Sequence, residues 1–382
     1  MLLTILGSDL FSEFIVQRNF AQIFIVMASS AFGVVSISKL EKLKNNTEKG
    51  RFLSFISTLF LLFCTAIFLV FTIVSQLYMD KVFPQSIFLV LIVFTIGQSL
   101  FLVFEYVVLC LGATKLIVKA NVINIFFNII LWYIIYNYNS VALYFLVSGS
   151  FYLILSFIYY KQVNKSIKLR LSFNYVELKE LFVNFIFPII LSGLTLLPLI
   201  WFCLIYLKNN LNDGGKSISF FEVANQLQSV ILFVPLYLSR LLNKNFSKYD
   251  DTEIVQKKKK HLKIQLTILK LALPVILVLY FISPYIILYF GLNMNNSKYF
   301  LLLHFFTAII MILNSTNAQY INSEHKFWLG FGFNVIFAVI FGLVFYLYNQ
   351  YYSLSIAVIF FSYFASYFIV SVCQFFYIRT RN

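Results

Sequence analysis

The stretch VALYFLVSGSFYLILSFIYY (141–160), followed directly by KQVNKSIKLR (161–170), decides the fold of this 382-residue chain. Its first twenty residues carry no charge, and a helix of that length crosses the hydrocarbon core of a bilayer. The lysines and arginine that follow are typical of a cytoplasmic flank. Because the same unit of apolar span and basic gap recurs along the sequence, we predict an all-α, polytopic membrane protein.

Eleven long apolar segments follow one another along the chain, separated by short polar gaps. Each is long enough to be a membrane-spanning helix. Charged residues make up 11% of the chain, which agrees with a membrane protein, because soluble domains carry about 25%. The predicted spans are 12–38, 52–79, 85–110, 117–136, 141–160, 182–207, 218–240, 264–290, 299–319, 327–347 and 353–377.

The distribution of basic residues predicts the orientation. Twenty-four of the 29 lysines and arginines lie in every second gap, Arg18 lies inside the first span, and only four lie in the other gaps. Since cytoplasmic loops carry the excess of basic residues, the C-terminus is predicted to be cytoplasmic. An odd number of crossings then puts the N-terminus outside, although the first residues lack the basic region of a cleavable signal.

The orientation pattern also accounts for the net charge of +15, so we expect membrane lipids and not nucleic acid as partners. The four cysteines lie in apolar spans without a CxxC pair, and the three histidines are scattered. No metal site, cofactor or enzymatic centre is therefore expected. No GxxxxGK[ST] phrase is present, so we expect no nucleotide hydrolysis either.

The longest gaps are too short for an extramembrane domain. One of them, KQVNKSIKLRLSFNYVELKEL (161–181), is basic and loosely amphipathic, as is typical of a segment on the membrane surface. We predict an N-terminal helical lobe at 1–165, a cytoplasmic amphipathic linker at 166–181 and a C-terminal lobe of six helices at 182–382.

Three phrases carry a resemblance to a known family. In SFFEVANQLQSVILFVPLYLSRLLNKNFS (219–247), the residues Phe221 through Leu238 follow the pattern Y-x-V-A-x-x-L-x7-P-x-x-L, with Phe in place of Tyr. HKFWLGFGFNVIFAVIFGLVF (325–345) contains K-x-W-L-G-x-x-x-N, and residues 6–35 begin with LGSDLF. These phrases resemble the eighth helix, the eleventh helix and the region before the second helix of Wzx-type O-antigen flippases, members of the polysaccharide transporter or MOP exporter superfamily.

The resemblance implies twelve helices in two six-helix lobes, of which this chain lacks the first, either through a misplaced start or as a truncated copy. It implies a flippase that moves undecaprenyl-pyrophosphate-linked oligosaccharide repeat units across the bacterial inner membrane by alternating access, driven by an ion gradient. Other O-antigen assembly proteins are further candidate partners. The alternatives are an O-antigen polymerase, whose expected large outward loop is absent from the sequence, a multidrug exporter of the same superfamily, and a non-transporting copy.

Ionisable residues inside spans are costly and are therefore candidates for function. Arg18 is the first candidate, with Gln22 one turn further along the helix. Its guanidinium could bind a phosphate through two hydrogen bonds, and the alternative is that the side chain extends to the outer lipid headgroups. Glu105 and Glu222 are candidates for ion coupling, and for Glu105 an interfacial ion pair with Lys115 or Lys119 is the alternative.

Two stripes of polar residues complete the candidate site. Asn124 and Asn128 lie on one helix face with Asn121, and Asn225 and Gln226 follow Glu222 on another helix. Such stripes either line a water-filled cavity that takes the glycan or join neighbouring helices by hydrogen bonds. Both interpretations remain open from the sequence.

Overall fold

A computed structural model describes residues 2–40, 43, 45–78, 85–138, 140–167, 179–246, 254–292, 296–352 and 354–380. Within these ranges the regular elements are all helices. The chain divides into two compact units, Met1–Leu194 and Thr195–Asn382. The boundary lies inside a helix, and each unit has its own packed core.

The first unit holds six whole helices and the first two turns of a seventh. A π-helical turn at Ser29–Val34 joins α1 to α2, and another at Phe182–Ile186 leads into α7. The helices are α1 Leu2–Ala28, α2 Val35–Leu40, α3 Asn46–Tyr78, α4 Gln85–Cys110, α5 Thr114–Tyr138, α6 Val141–Ser166 and α7 Phe187–Asn210, which continues into the second unit.

The second unit contains the remaining five helices. They are α8 Gly214–Phe246, α9 Ile254–Tyr289, α10 Ser297–Ser323, α11 Phe327–Tyr351 and α12 Ala357–Thr380.

The predicted fold class is confirmed, since each of the eleven predicted spans coincides with a helix or a continuous run of helical residues. Several helices extend beyond the apolar segment, as α9 does through the basic run 257–260. A helix bonds its own backbone, so it can continue through lysines that reach towards water. The predicted lobe boundary at 166–181 stays a prediction, because residues 168–178 lie outside the described residues.

Nine helices of the described part are long and apolar enough to cross a membrane. The two predicted spans outside this set lie in α1, which carries Arg18, and in α8, which carries the polar stripe around Asn225. Many large apolar side chains on the other helices are exposed, among them Phe126, Phe281 and Leu288. Exposed apolar surface of this extent is expected where lipid is the solvent.

In the first unit, α4 packs most extensively on α6. The two backbones approach closely where Gly97 faces Gly149, and a Cβ built on Gly149 would lie 2.7 Å from backbone atoms of Phe94. Small residues allow such close approach, which matters in a membrane because dispersion contacts drive helix association there. Phe101 stacks on the buried Tyr159 at a ring distance of 5.5 Å and extends the same interface.

In the second unit, aromatic side chains fill the space between α10, α11 and α12. The ring of Phe341 meets Tyr363 edge-on at 5.4 Å, and Phe337 meets Tyr367 at 4.7 Å. The fully buried Phe360 lies against Phe300 at 5.7 Å. Edge-to-face and offset ring pairs stabilise a core beyond the effect of the apolar area that they bury. These rings therefore help to fix the positions of α10, α11 and α12 next to α8.

We expect Gly149→Val to destabilise the first unit, because the added side chain would collide with the backbone of α4. Overpacking of this kind costs about 1–3 kcal/mol. Thermal unfolding of the purified chain in detergent measures the loss. Gly342→Val is the matched control, since a Cβ at Gly342 meets no atom within 4 Å. Equal unfolding temperatures for the two variants would contradict the close approach of α4 and α6.

Candidate functional site

Arg18 lies on α1 and is half-buried against aromatic rings of its own unit. Its Cζ stands 5.7 Å from the centroid of the Phe14 ring, which is a cation–π distance. Phe14 meets Tyr144 edge-on at 4.9 Å, and the charge of Arg18 acts on Tyr144. Tyr144 is in the first turn of α6, so the guanidinium lies towards the end of α6 that the charge pattern predicts to be outside.

Gln22 lies one turn further along α1 and faces α4. Its Nε2 donates to Oε1 of Gln98 at 3.4 Å, so an amide pair joins the two helices. Gln17 is buried one turn before Gln22, and its Oε1 has no hydrogen-bond partner within the described ranges. Helix α1 therefore contributes a guanidinium and two amides to the interior of the first unit.

The structure places Glu105 in contact with the asparagine stripe of α5. Oε1 of Glu105 accepts from Nδ2 of Asn121 at 3.3 Å, and the carboxylate also acts electrostatically on Tyr159. This contact joins α4 to α5 at the end of α4 that is predicted to face the cytoplasm. The sequence identified both residues but could not show that they touch.

The other two asparagines of the stripe are hydrogen-bonded to each other. Nδ2 of Asn128 donates to the Asn124 backbone oxygen at 2.7 Å and to its Oδ1 at 3.0 Å. Asn121 therefore acts as an interhelical contact, whereas the bonds between Asn124 and Asn128 remain within α5. All three are partly exposed.

In the second unit, α8 carries the corresponding polar group. Nε2 of Gln226 donates to Oε1 of Glu222 at 3.3 Å, so these two candidates form a pair along one helix. Glu222 is buried, whereas Gln226 is exposed. The carboxylate thus faces the core of the unit, and the amide faces outwards.

Asn225 makes the most specific contact of the second unit, and its partner is a residue that the sequence reasoning missed. Oδ1 of Asn225 lies 2.9 Å from Nε2 of His304 on α10, and Nε2 of Gln228 donates to the His304 backbone oxygen at 3.0 Å. His304 is 1% exposed, and its Nδ1 has no hydrogen-bond partner among the residues that the structure describes. As an ionisable residue inside a span, His304 met the criterion that selected Glu105.

Both polar groups consist mainly of amides, hydroxyls and aromatic faces, with few charges. Amides and hydroxyls offer donors and acceptors together, which suits a sugar more than a hydrophobic ion. In the described part of the chain, no three histidines, cysteines or carboxylates come together in a way that could hold a metal ion.

Solved structures with the same arrangement of helices are transporters. A proline-to-alanine variant of a MATE protein matches with a TM-score of 0.74 at 14% identity, covering 99% of this chain and 89% of that one. The chain has the fold of the MATE transporters. An outward-facing multidrug resistance MATE transporter of the MOP superfamily matches with a TM-score of 0.73 at 12% identity, covering 98% and 88%. An inward-facing one matches at 0.74 and 14%, covering 99% and 92%.

The likeness to MATE transporters is one of fold. The sequence matches no protein-family model and no curated protein at a significant level. The structural comparisons bear on the architecture of the chain alone. The Wzx-type resemblance therefore rests on the three sequence phrases alone.

The contact between Asn225 and His304 should be measurable as a coupling energy. We expect the double-mutant cycle of Asn225→Ala and His304→Ala to give about 0.6 kcal/mol or more, the range found for interhelical hydrogen bonds in membranes. Unfolding by steric trapping in bicelles measures it. The control cycle pairs His304→Ala with Gln226→Ala, because Gln226 bonds to Glu222. A coupling no larger than that of the control would contradict the geometry.

Proposed function

We propose that this chain is a flippase for an undecaprenyl-pyrophosphate-linked oligosaccharide repeat unit. The MATE-like fold supports a membrane transporter, and the three phrases at 6–35, 219–247 and 325–345 support the Wzx-type class. The membrane concerned is the bacterial inner membrane, with the C-terminus in the cytoplasm. The partners are the lipid-linked glycan, membrane lipids and other O-antigen assembly proteins.

One observation carries the choice of substrate, namely the chemistry of the polar residues inside the first unit. Gln22, Gln98, Asn121 and Asn124 present amides, and Arg18 adds a guanidinium beside aromatic rings. Amides bond to sugar hydroxyls, and a guanidinium binds the oxygens of a pyrophosphate in two places. These side chains therefore complement a neutral, hydroxyl-rich oligosaccharide that is joined to an anionic pyrophosphate.

The source of energy in this proposal is an ion gradient, with Glu105 and Glu222 as the coupling carboxylates. Each accepts a hydrogen bond from an amide, Asn121 for Glu105 and Gln226 for Glu222. Loading a proton or Na⁺ on either carboxylate would change that bond and the electrostatics around Tyr159 or Tyr363. Ion binding would thereby be coupled to the packing of α4 on α5 and of α8 on α12.

The second candidate function is multidrug export. Two of the similar structures are multidrug resistance MATE transporters, and embedded carboxylates such as Glu105 suit a cationic drug. The two functions separate cleanly in an assay, because they need different substrates.

We expect the chain to restore surface O-antigen in a strain that lacks its own flippase and has a matching repeat unit. Immunoblotting of lipopolysaccharide measures the restoration. The same plasmid in a strain without drug exporters should leave susceptibility to cationic dyes unchanged. Correct insertion but no surface polysaccharide, together with acquired dye resistance, would replace the proposal by multidrug export.

Arg18 should matter to this activity through the geometry of its guanidinium. We expect Arg18→Ala to lower surface polysaccharide about tenfold, the effect of losing a charge-assisted hydrogen bond, and Arg18→Lys to lower it less. Arg51→Ala is the control, since Arg51 is exposed near the start of α3. If both Arg18 variants match the control, Arg18 only reaches towards the outer headgroups.

A further inference from the structure

A cavity of about 230 Å³ opens between α9 and α12 in the second unit. Its walls combine basic residues, buried amides and apolar side chains. They are Lys258, Lys259, His261, Leu262, Gln265, Asn317, Phe375, Ile378 and Arg379. Neither the predicted substrate site nor the contact of Asn225 with His304 involves any of these residues.

Three of the lining side chains are cations that two helices bring together. Lys258 and Lys259 come from the second turn of α9, and Arg379 comes from the last turn of α12. Nζ of Lys258 donates to the Arg379 backbone oxygen at 3.5 Å, so the two helix ends are adjacent. The guanidinium of Arg379 lies 4.8 Å from the Phe375 ring, which holds it beside the cavity.

Lys258, Lys259 and Arg379 make the cavity basic, and none of its nine described lining residues is acidic. The nearby carboxylate of Glu324 is held by other lysines. It lies 3.7 Å from Nζ of Lys257 and 4.0 Å from Nζ of Lys326. The cavity therefore favours an anion.

The floor of the cavity is polar and buried, as in a formed binding site. Nε2 of Gln265 donates to Oγ1 of Thr316 at 3.0 Å and to Oδ1 of Asn317 at 2.8 Å. His261 is 5% exposed and packs on Tyr320 at a ring distance of 5.1 Å. These contacts fix the floor, while the cations at the rim are partly or fully exposed.

The outer wall is apolar and faces the side where lipid would lie. Leu262 and Phe375 are more than two-fifths exposed, and each lies about one turn further from the helix end than the basic residues of its helix. The charge pattern predicts that these helix ends lie at the cytoplasmic surface. Basic clusters in that position attract the anionic lipids of the inner leaflet.

We propose that this cavity binds the phosphate headgroup of an anionic phospholipid in the cytoplasmic leaflet. Lys258, Lys259 and Arg379 bind the phosphate oxygens, and the acyl chains lie along Leu262 and Phe375. The volume suits a headgroup, because sites that enclose a whole drug-sized ligand measure about 300–1,000 Å³. The assignment does not depend on the substrate that the transporter moves.

Native mass spectrometry of the purified full chain tests the site by titration with phosphatidylglycerol and phosphatidylethanolamine. The variant Lys258→Gln/Lys259→Gln/Arg379→Gln should bind phosphatidylglycerol about a hundredfold more weakly, since each of the three cations near the surface contributes about fivefold. The control Arg51→Gln/Lys115→Gln/Lys119→Gln removes the same charges from exposed positions elsewhere and should stay within about twofold of the unaltered chain. Equal losses in both would overturn the proposal in favour of attraction by net charge.

Two further arms identify the ligand and do not depend on the folding of a variant. A photoactivatable phosphatidylglycerol should label peptides 255–265 and 375–380 of the unaltered chain, and labelling only elsewhere would overturn the assignment.

Phosphatidylglycerol should bind at this cavity more tightly than inorganic phosphate or undecaprenyl pyrophosphate. Tighter binding of inorganic phosphate would make it a site for the free anion. Tighter binding of the pyrophosphate would make it a substrate entrance, a result that leaves the flippase proposal intact.

Discussion

A polar side chain inside a hydrocarbon solvent must be paired, and the interior of this protein depends on that constraint. No water is available to take up an unpaired donor or acceptor, so each such group costs several kcal/mol. Most of the embedded candidates accordingly meet partners, as Gln22 meets Gln98, Glu105 meets Asn121, and Asn225 meets His304. Oε1 of Gln17 and Nδ1 of His304 are the exceptions among these described side chains. Apolar contacts such as the close approach of α4 and α6 then bring the helices together around these pairs.

In the proposed flippase, the same pairs would serve both packing and transport. Interhelical hydrogen bonds in membranes contribute only about 0.6 kcal/mol on average, because alternative partners are always near. A sugar hydroxyl or a phosphate oxygen that enters can therefore replace an amide partner at small cost. Under the proposed function, the two interpretations of the asparagine stripe, helix contact and polar lining, would describe the same side chains without and with a substrate.

The experiments on Gly149 and Asn225 test contacts between helices that could not be predicted from the sequence. The helices themselves were largely predictable. Hydropathy located all eleven helical segments, nine of which are long and apolar enough in the described part of the chain to cross a membrane, because a bilayer admits few other solutions than apolar helices. Periodicity identified the polar faces of α5 and α8 but not the helices opposite them, since spacing defines a face and not its neighbour. The contact of Glu105 with Asn121 and the close approach of Gly97 to Gly149 needed the structure. His304 was missed because histidines were considered only as metal ligands. Its position inside a predicted span already made it a candidate functional residue.

Translocation by the purified chain in proteoliposomes is the most direct measurement of what this protein does. The liposomes would carry a fluorescent undecaprenyl-pyrophosphate oligosaccharide, and an impermeant quencher would report which leaflet holds it. A proton or Na⁺ gradient should accelerate the exchange between leaflets, and Arg18→Ala should slow it about tenfold. Exchange no faster than in empty liposomes, with gradient-dependent uptake of a cationic dye, would contradict the flippase and identify a drug exporter.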